Sequence, residues 1–423
     1  MDRIRIKGGR ELHGTVKISG SKNAALPILA ATLMVDGPVL LRNVPRLKDI
    51  ENMCRILERV GMCCHWTAAG DLEVVARDKT FYQAPYDLVR TMRASFVMLG
   101  PLWARRGLGE VSYPGGCVFG HRPVDLHLKG LEAIGAEIHR KDGYVVATGP
   151  VRGGTAFMGG PFGSTVLGTA NVLMAATLGQ GTTYIESAAM EPEIADLCNF
   201  LNACGARISG MGGHVLTVQG VDTLKGCEWS IISDRIEAAT FLTALMMTNS
   251  DVTVTNVEPR HLLAVLDRLQ AAGARHEVRD DWVRNVPRED TRITSVDVTT
   301  LPYPGFPTDI QSQFMSLMAI SDGVSVITEK VYPERFIHAA ELMRLGAQIR
   351  REGPSAIVHG TRTLAGAQVM ASDLRASASL VLMGLVADGQ TDVRRVYHID
   401  RGYERIEQKF QRIGADIERI REG

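Results

Sequence analysis

Along the chain, a stretch with apolar residues at helical spacing repeatedly runs into glycine, and an alternating polar–apolar stretch follows at once. The copies are Leu57-Glu-Arg-Val-Gly61-Met, Leu131-Glu-Ala-Ile-Gly135-Ala-Glu-Ile and Leu201-Asn-Ala-Cys-Gly205-Ala-Arg-Ile. They continue with Leu269-Gln-Ala-Ala-Gly273-Ala-Arg-His, Leu342-Met-Arg-Leu-Gly346-Ala-Gln-Ile and Phe410-Gln-Arg-Ile-Gly414-Ala-Asp-Ile. Each glycine is expected to stop a helix in the left-handed region, where a side chain would clash. A hairpin should then close each unit, as in Glu137-Ile-His-Arg-Lys-Asp-Gly143-Tyr-Val-Val-Ala147. The spacings of 74, 70, 68, 73 and 68 residues define six units of nearly equal length.

Each unit mixes two helix-like stretches with strands, so the class is α/β or α+β. One unit of this size buries little core by itself. Three units sharing a core, twice over, predict two domains with a hinge near residues 229–234. Residues 2–18 read as one strand that precedes the first unit and pairs with the second half. The predicted domains are therefore 22–232, and 1–21 together with 233–423.

Composition removes several function classes. Lys plus Arg and Asp plus Glu are both 47, so the formal charge is zero, which argues against a general nucleic-acid binder. The chain is 45% hydrophobic and 22% charged, as a packed protein should be. Charged residues Asp2, Arg3, Arg5, Lys7, Arg10 and Glu11 occupy the N-terminus with no apolar leader core behind them. No apolar run reaches the ~18–20 residues that would span a bilayer, and residues 376–387 come closest. The seven cysteines form an odd set without CxxC, so reduced thiols and a cytoplasmic location are expected. Walker A, GxGxxG, GxSxG and HExxH patterns are missing from the sequence, so no metal and no cofactor are expected.

Four segments place charge and glycine where a core would want neither. In Gly20-Ser21-Lys22-Asn23, Ser21 reads as a helix cap, and Lys22 is either a solvated lysine or one awaiting an anion. Thr91-Met-Arg93-Ala-Ser95 is followed by Tyr113-Pro-Gly-Gly-Cys117-Val-Phe-Gly120-His-Arg122-Pro-Val-Asp125-Leu-His127. Cys117 there is either a reactive thiol beside arginines or a cysteine tolerated in a turn. Two prolines in Tyr303-Pro-Gly-Phe-Pro307-Thr308-Asp309 deliver Asp309 to a helix start, where capping is the plain alternative. The last group holds Arg335, Asp373, Arg375, Asp400, Arg401 and Arg405. Its Asp373/Arg375 and Asp400/Arg401 neighbours read as surface pairs or as parts of an oxyanion cradle.

Ser21-Lys22-Asn23-Ala24, Pro114-Gly-Gly-Cys117, Arg122-Pro-Val-Asp125-Leu-His127, Phe306-Pro-Thr-Asp309-Ile-Gln-Ser-Gln313, Asp373-Leu-Arg375-Ala-Ser-Ala and Tyr397-His-Ile-Asp-Arg401-Gly-Tyr-Glu-Arg405 together resemble the enolpyruvyl transferase family. The resemblance runs end to end and lies closest to the branch that acts on nucleotide sugars. It implies a two-domain inside-out α/β barrel of six βαβαββ units, three per domain, with the reactive Cys117 segment in the first domain. The implied substrates are phosphoenolpyruvate and UDP-N-acetylglucosamine, joined at the sugar 3-hydroxyl with release of phosphate at the entry to peptidoglycan synthesis. No nucleic acid, membrane or obligate protein partner follows from it.

The resemblance also assigns roles. Cys117 would be the acid, and the residue alkylated by fosfomycin; Asp309 would accept the hydroxyl proton. Lys22, Arg122 and Arg401 would hold phosphoenolpyruvate, with Arg93 and Arg375 adding positive charge and Asp373 positioning groups. Asn23 and Asp309 would hold the amino sugar. Arg122, Pro123, Val124, Asp125 and Leu126 would line the uridine site, with Val331 opposite. The family's Ser-Val-Gly-Ala-Thr diphosphate segment is altered here, and Thr165, Val166 and Leu167 stand in its place. The alternatives are a sister transferase for another nucleotide sugar and a catalytically silent sensor. Cys117 in one half and Asp309 in the other imply closure on the sugar nucleotide.

Overall fold

The computed structural model describes residues 2–113 and 124–421. The chain divides into two compact units, Gly20–Ile232 and Met1–Ser19 with Ser233–Gly423. The six repeat glycines all take positive φ, between 87° and 109°, where they end a helix and turn the chain into a strand. Gly61 has no alternative, because a Cβ there would come within 1.9 Å of the Asp78 carbonyl oxygen.

Six four-stranded sheets share one strand arrangement. A parallel pair comes first, and two antiparallel strands extend it. In the unit Gly20–Ile232, one sheet runs Arg152–Phe157, Gln180–Glu186, Val215–Gln219, Arg207–Ser209. Helices Val166–Thr177 and Pro192–Ala203 supply its two crossovers, which makes a βαβαββ module. The sheet Gln83–Ala84, Gly109–Ser112, Tyr144–Thr148, Glu137–Lys141 repeats the order, with the expected hairpin turning at Asp142-Gly143. The first module borrows its edge strand from the far end of the unit: Glu228–Ser230 lies parallel to Val39–Arg42.

The other unit closes differently. Residues 2–18 form two strands rather than the single one expected, because Gly8 and Gly9 break the run; a Cβ on Gly8 would strike the Ala387 carbonyl oxygen at 2.2 Å. Arg3–Lys7 becomes an inner strand of the sixth module, between Gln390–Arg394 and Asp416–Ile420. His13–Lys17 becomes the first strand of the fourth, parallel to Asp251–Thr255.

Helices, not sheets, fill each core. Lys22–Ala31, Leu99–Arg106 and Val166–Thr177 pack together in one unit. Arg235–Met247, Gln311–Met318 and Ala376–Val386 pack together in the other. A helix enclosed by helices and sheets must be apolar or small on every side. The run 376–387 shows this, since Ala376–Val386 is buried over nearly its whole length. That arrangement is the inside-out α/β fold, and the apolar run is core. No helix among the described residues is long and apolar enough to cross a membrane.

Candidate active site

In the unit Gly20–Ile232, the turn before Lys22 is fixed by backbone contacts. Ser21 N donates to Ile232 O at 2.7 Å, and a Cβ on Gly20 would overlap the Asn43 carbonyl oxygen. Ser21 caps helix Lys22–Ala31 as expected, its Oγ accepting from Ala24 N at 3.3 Å. Lys22 is neither solvated nor waiting for an external anion alone. Its Nζ lies 2.6 Å from Asp49 Oδ2, and the two side chains are only 6% and 1% exposed. Asn23 beside it is half-buried.

Arg93 opens the 3₁₀ turn Arg93–Met98, which packs on helix Lys22–Ala31. Next to it, His127 is buried with its ring edge-on to Phe96. Asn171 Nδ2 donates to His127 Nδ1 at 3.1 Å, which leaves the ring proton on Nε2. Burial first, and then the Arg93 charge, push His127 down to about 3, so it is a neutral structural ring.

Val124 precedes helix Asp125–Ala133, whose Asp125 is exposed. Leu126 packs over the glycine hairpin Gly159–Gly160/Gly163–Ser164; a Cβ on Gly160 would sit 2.9 Å from Leu126 Cδ1. The same hairpin leads into Thr165, whose Oγ1 caps helix Val166–Thr177 through Gly168 N at 3.2 Å. Helix Asp125–Ala133 thus packs on helix Val166–Thr177, and Leu126 covers the hairpin that leads into Thr165. No acid occupies the first turn of helix Val166–Thr177, so the helix's own side chains do not offset its positive end. Cys117, Arg122 and Pro123 lie outside the described residues.

In the other unit, Asp309 sits in the 3₁₀ turn Thr308–Ile310 but caps nothing. Its Oδ1 accepts from Arg335 Nη1 at 2.7 Å, and its Oδ2 lies 3.7 Å from Arg375 Nε. Burial pushes the Asp309 carboxyl up, but the Arg335, Arg375 and Arg235 charges outweigh it and hold it well below the ordinary carboxylate range. Arg375 is 1% exposed, stacks over Tyr403, donates to Gly402 O and lies 3.5 Å from Asp234.

Asp373/Arg375 and Asp400/Arg401 are open in the sequence as surface pairs or as parts of an oxyanion cradle, and the surface pairing does not form. The Asp373 carboxylate does not meet the Arg375 guanidinium; its Oδ1 accepts from the backbone N–H of Arg375 and Ala376 at 2.8 and 3.0 Å. Two residues apart at a helix start, a carboxylate reaches the amides more easily than the neighbouring side chain. Asp373 is also buried, and its Oδ2 has no hydrogen-bond partner. Asp400 turns to Arg419 at 2.6 Å, not to Arg401. Arg401 adjoins Gly402 and lies close enough to His398 to lower it, after burial. Asp309, Asp373, Arg375 and Arg401 therefore gather in one region of this unit.

Residues without a sequence-assigned role hold that region in place. Glu329, fully buried, accepts from Thr300 and Thr308 hydroxyls at 2.6 and 2.9 Å. Its Oε1 also accepts from Val331 N and Tyr332 N, each at 2.9 Å. One carboxylate thus fixes the turn that carries Asp309 and the backbone of Val331. Arg335 appears within a motif, but nothing in the sequence gives it Asp309 as partner. Asp234 carries a readable signal, since Ser-Asp-Arg before an apolar run is a capping pattern, and it does cap helix Arg235–Met247. Among the described residues, no group of three or more His, Cys, Asp or Glu is placed to hold a metal ion.

The sequence model of EPSP synthase (3-phosphoshikimate 1-carboxyvinyltransferase) matches residues 6–410. A relative from Desulfosudis oleivorans named UDP-N-acetylglucosamine 1-carboxyvinyltransferase is 53% identical over 423 residues, covering 99% of this chain and all of the relative. Proteins of the same name from Coxiella burnetii and Myxococcus xanthus are 49% and 50% identical over 99% of this chain, covering 96% and 99% of their own length. Among solved structures, the enolpyruvyl transferase NikO from Streptomyces tendae aligns at a TM-score of 0.88 with 25% identity, covering 100% of this chain and 99% of its own. EPSP synthase from Acinetobacter baumannii shares the fold at a TM-score of 0.74 and 16% identity, each chain covered in full. The chain belongs to the EPSP synthase family of enolpyruvyl transferases.

Proposed function

We propose that this chain transfers the enolpyruvyl group of phosphoenolpyruvate to the 3-hydroxyl of UDP-N-acetylglucosamine and releases phosphate. The observation that carries the acceptor assignment is identity of 49–53% over essentially the whole chain to proteins named for that reaction. A sister acceptor or a silent sensor is not favoured by those relatives.

The chemistry sets the demands on the residues. The C3 methylene of phosphoenolpyruvate takes a proton while the sugar hydroxyl bonds to C2 and gives up its own. The tetrahedral ketal then loses a proton from C3 and phosphate from C2, which restores the double bond. Proton donor, proton acceptor and fixed positive charge around two anionic groups are needed. Cys117 is the acid in this reading. Asp309 is the acceptor, and because Arg335 and Arg375 keep it ionised, it is vacant for a proton at any working pH. So weak a base collects the proton only as the hydroxyl acidifies during attack.

Lys22, Arg122 and Arg401 bind phosphoenolpyruvate, with Arg93 and Arg375 contributing charge and Asp373 orienting groups through both steps. Lys22 must then be shared with Asp49, its buried partner. Asn23 and Asp309 hold the amino sugar; Arg122, Pro123, Val124, Asp125, Leu126 and Val331 contact the uridine. The helix start at Thr165, Val166 and Leu167 takes the diphosphate, supported by its lack of a first-turn acid and by the Leu126-covered hairpin that leads into it. The same reading places the reaction at the first committed step of peptidoglycan synthesis, in the cytoplasm, serving cell-wall growth, shape and division. It also makes Cys117 the target of fosfomycin.

A phosphate-release assay tests the assignment. Phosphate should appear only with phosphoenolpyruvate and UDP-N-acetylglucosamine together. Release with shikimate 3-phosphate, or with a different UDP sugar in preference, would reject the acceptor.

A further inference from the structure

Cys204 and Cys227 lie 23 positions apart in sequence with their Sγ atoms 3.3 Å from each other. Cys204 caps the C-terminus of helix Pro192–Ala203 and is 2% exposed. Cys227 directly precedes the borrowed edge strand Glu228–Ser230 and is half-buried, so a small molecule can reach it.

The two backbones are already tied where the thiols meet. Lys225 N donates to Cys204 O at 2.8 Å, Gly226 N to Asp36 O at 2.9 Å, and Leu40 N to Cys227 O at 3.0 Å. Gly226 is held so closely that a Cβ would come 2.1 Å from the Pro38 carbonyl oxygen. A disulfide needs sulfurs about 2.05 Å apart, so they must approach by about 1.2 Å.

We propose that Cys204 and Cys227 form a dithiol–disulfide site that hydroperoxides oxidise. The Cys227 thiolate attacks a peroxide oxygen; with hydrogen peroxide the O–O bond breaks, Cys227 becomes a sulfenic acid and hydroxide leaves. The Cys204 sulfur then attacks the Cys227 sulfur, an S–S bond forms, and the sulfenic oxygen departs as water after taking the thiol proton. Overall, two thiols and one hydrogen peroxide give one disulfide and two waters. The order of attack follows from the contact: the Cys204 S–H hydrogen bond lowers the Cys227 thiol and outweighs the opposing effect of its burial. Cys198, by contrast, is fully buried and pushed up to about 12 by that burial, so it should stay reduced. The bridge would fasten a helix end to the short strand that completes its unit's first sheet. This inference does not rest on the proposed reaction.

The experiment uses the full chain carrying Cys117→Ser, so that oxidation at residue 117 does not enter the count. After hydrogen peroxide and removal of excess, thiols titrated in denaturant should fall from six to four, and dithiothreitol should restore them. Trypsin with chymotrypsin cuts after Phe200, between Cys198 and Cys204, and after Arg207 and Lys225, so a non-reducing map should join a fragment that holds Cys204 without Cys198 to one that begins at Gly226 and holds Cys227. The oxidised protein should unfold at a midpoint higher by roughly 5 °C or more, reversibly. Cys227→Ser should abolish the joined peptide and the midpoint shift. An unchanged thiol count, a bridge to any other cysteine, or sulfinic acid at Cys227 without a joined peptide would overturn the proposal. The map is made with both cysteines present, so the result stands even where Cys227→Ser folds poorly.

Discussion

Arg335 and Asp309 meet through one hydrogen bond, Nη1 to Oδ1 at 2.7 Å, while the second carboxylate oxygen faces Arg375 at 3.7 Å. The guanidinium of Arg335 is buried and the Asp309 side chain is 26% exposed, so one carboxylate edge still reaches solvent. An acceptor held this way is always ionised and always weak. Removing Arg335 takes away the largest charge that opposes burial, and burial raises a carboxyl. Arg335→Ala should therefore move the acid limb of the kcat/KM profile to higher pH, and Arg335→Lys should move it less. A pH–rate series on the three proteins checks this; an unmoved limb would separate Asp309 from the proton transfer.

Glu329 is expected to act on binding more than on chemistry. Its carboxylate accepts four hydrogen bonds, two from hydroxyls and two from backbone amides. Glu329→Gln turns one acceptor into a donor facing other donors, which should cost about 2 kcal/mol of stability. Because the same oxygens fix Val331 and Thr308, KM for the sugar nucleotide should rise about tenfold while kcat falls less. Steady-state kinetics beside a urea melt distinguish this from a general loss of folded protein.

For Lys22, stability and function can be separated. Lys22→Ala takes the close cation from Asp49, a carboxylate only 1% exposed, which should cost about 3 kcal/mol or more. Adding Asp49→Asn removes the buried negative charge, so the double variant should regain most of the lost stability. Turnover should stay low in both variants if Lys22 binds phosphoenolpyruvate. Recovery of activity in the double variant would reduce Lys22 to a structural partner.

What could be read in advance follows a physical rule. The six helix-stop glycines were legible because a left-handed cap is a local demand on one residue. The charge cradle was legible as a set of arginines but not as a set of pairs. Asp373 and Arg375 sit two apart and invite an ion pair, yet the carboxylate goes to backbone amides and the guanidinium to Asp309 and Asp234. Asp49 and Glu329 left no mark, because each finds its role through residues brought close by packing. Lys22 kept two open readings for the same reason, since Asp49 lies 27 positions away in sequence. The two N-terminal strands needed long-range partners, 390–394 with 416–420 for one and 251–255 for the other, which no local pattern specifies.

Cys117 gives the most direct chemical test of the proposed acid. Fosfomycin should add covalently at this residue, as located by mass spectrometry, and full inhibition with Cys117 unmodified would contradict the role. Cys117→Ala should lower turnover by about 100-fold or more with little change in unfolding midpoint. A large loss of midpoint instead would make the thiol a packing residue.

Acid stability should be governed in part by two buried histidines. Burial pushes His127 to about 3 and His338 to about 4, against 6.5 when exposed. Both rings are therefore neutral in the folded chain and protonate once it unfolds, so between pH 6.5 and about 4 the unfolded state binds more protons. Stability must then fall as pH drops through that window. Asp309 works in a lower range: its folded carboxyl is held below the ordinary value, so its contribution is intact above about pH 4 and fades beneath it. The two effects are separable, because His127→Gln keeps a neutral hydrogen-bonding side chain facing Asn171 yet cannot titrate. Urea midpoints should fall steeply from pH 7 to pH 4.5 in the parent protein and more gently in His127→Gln. Equal slopes would mean that His127 is already protonated in the folded state, and would remove it as the neutral ring beside Arg93.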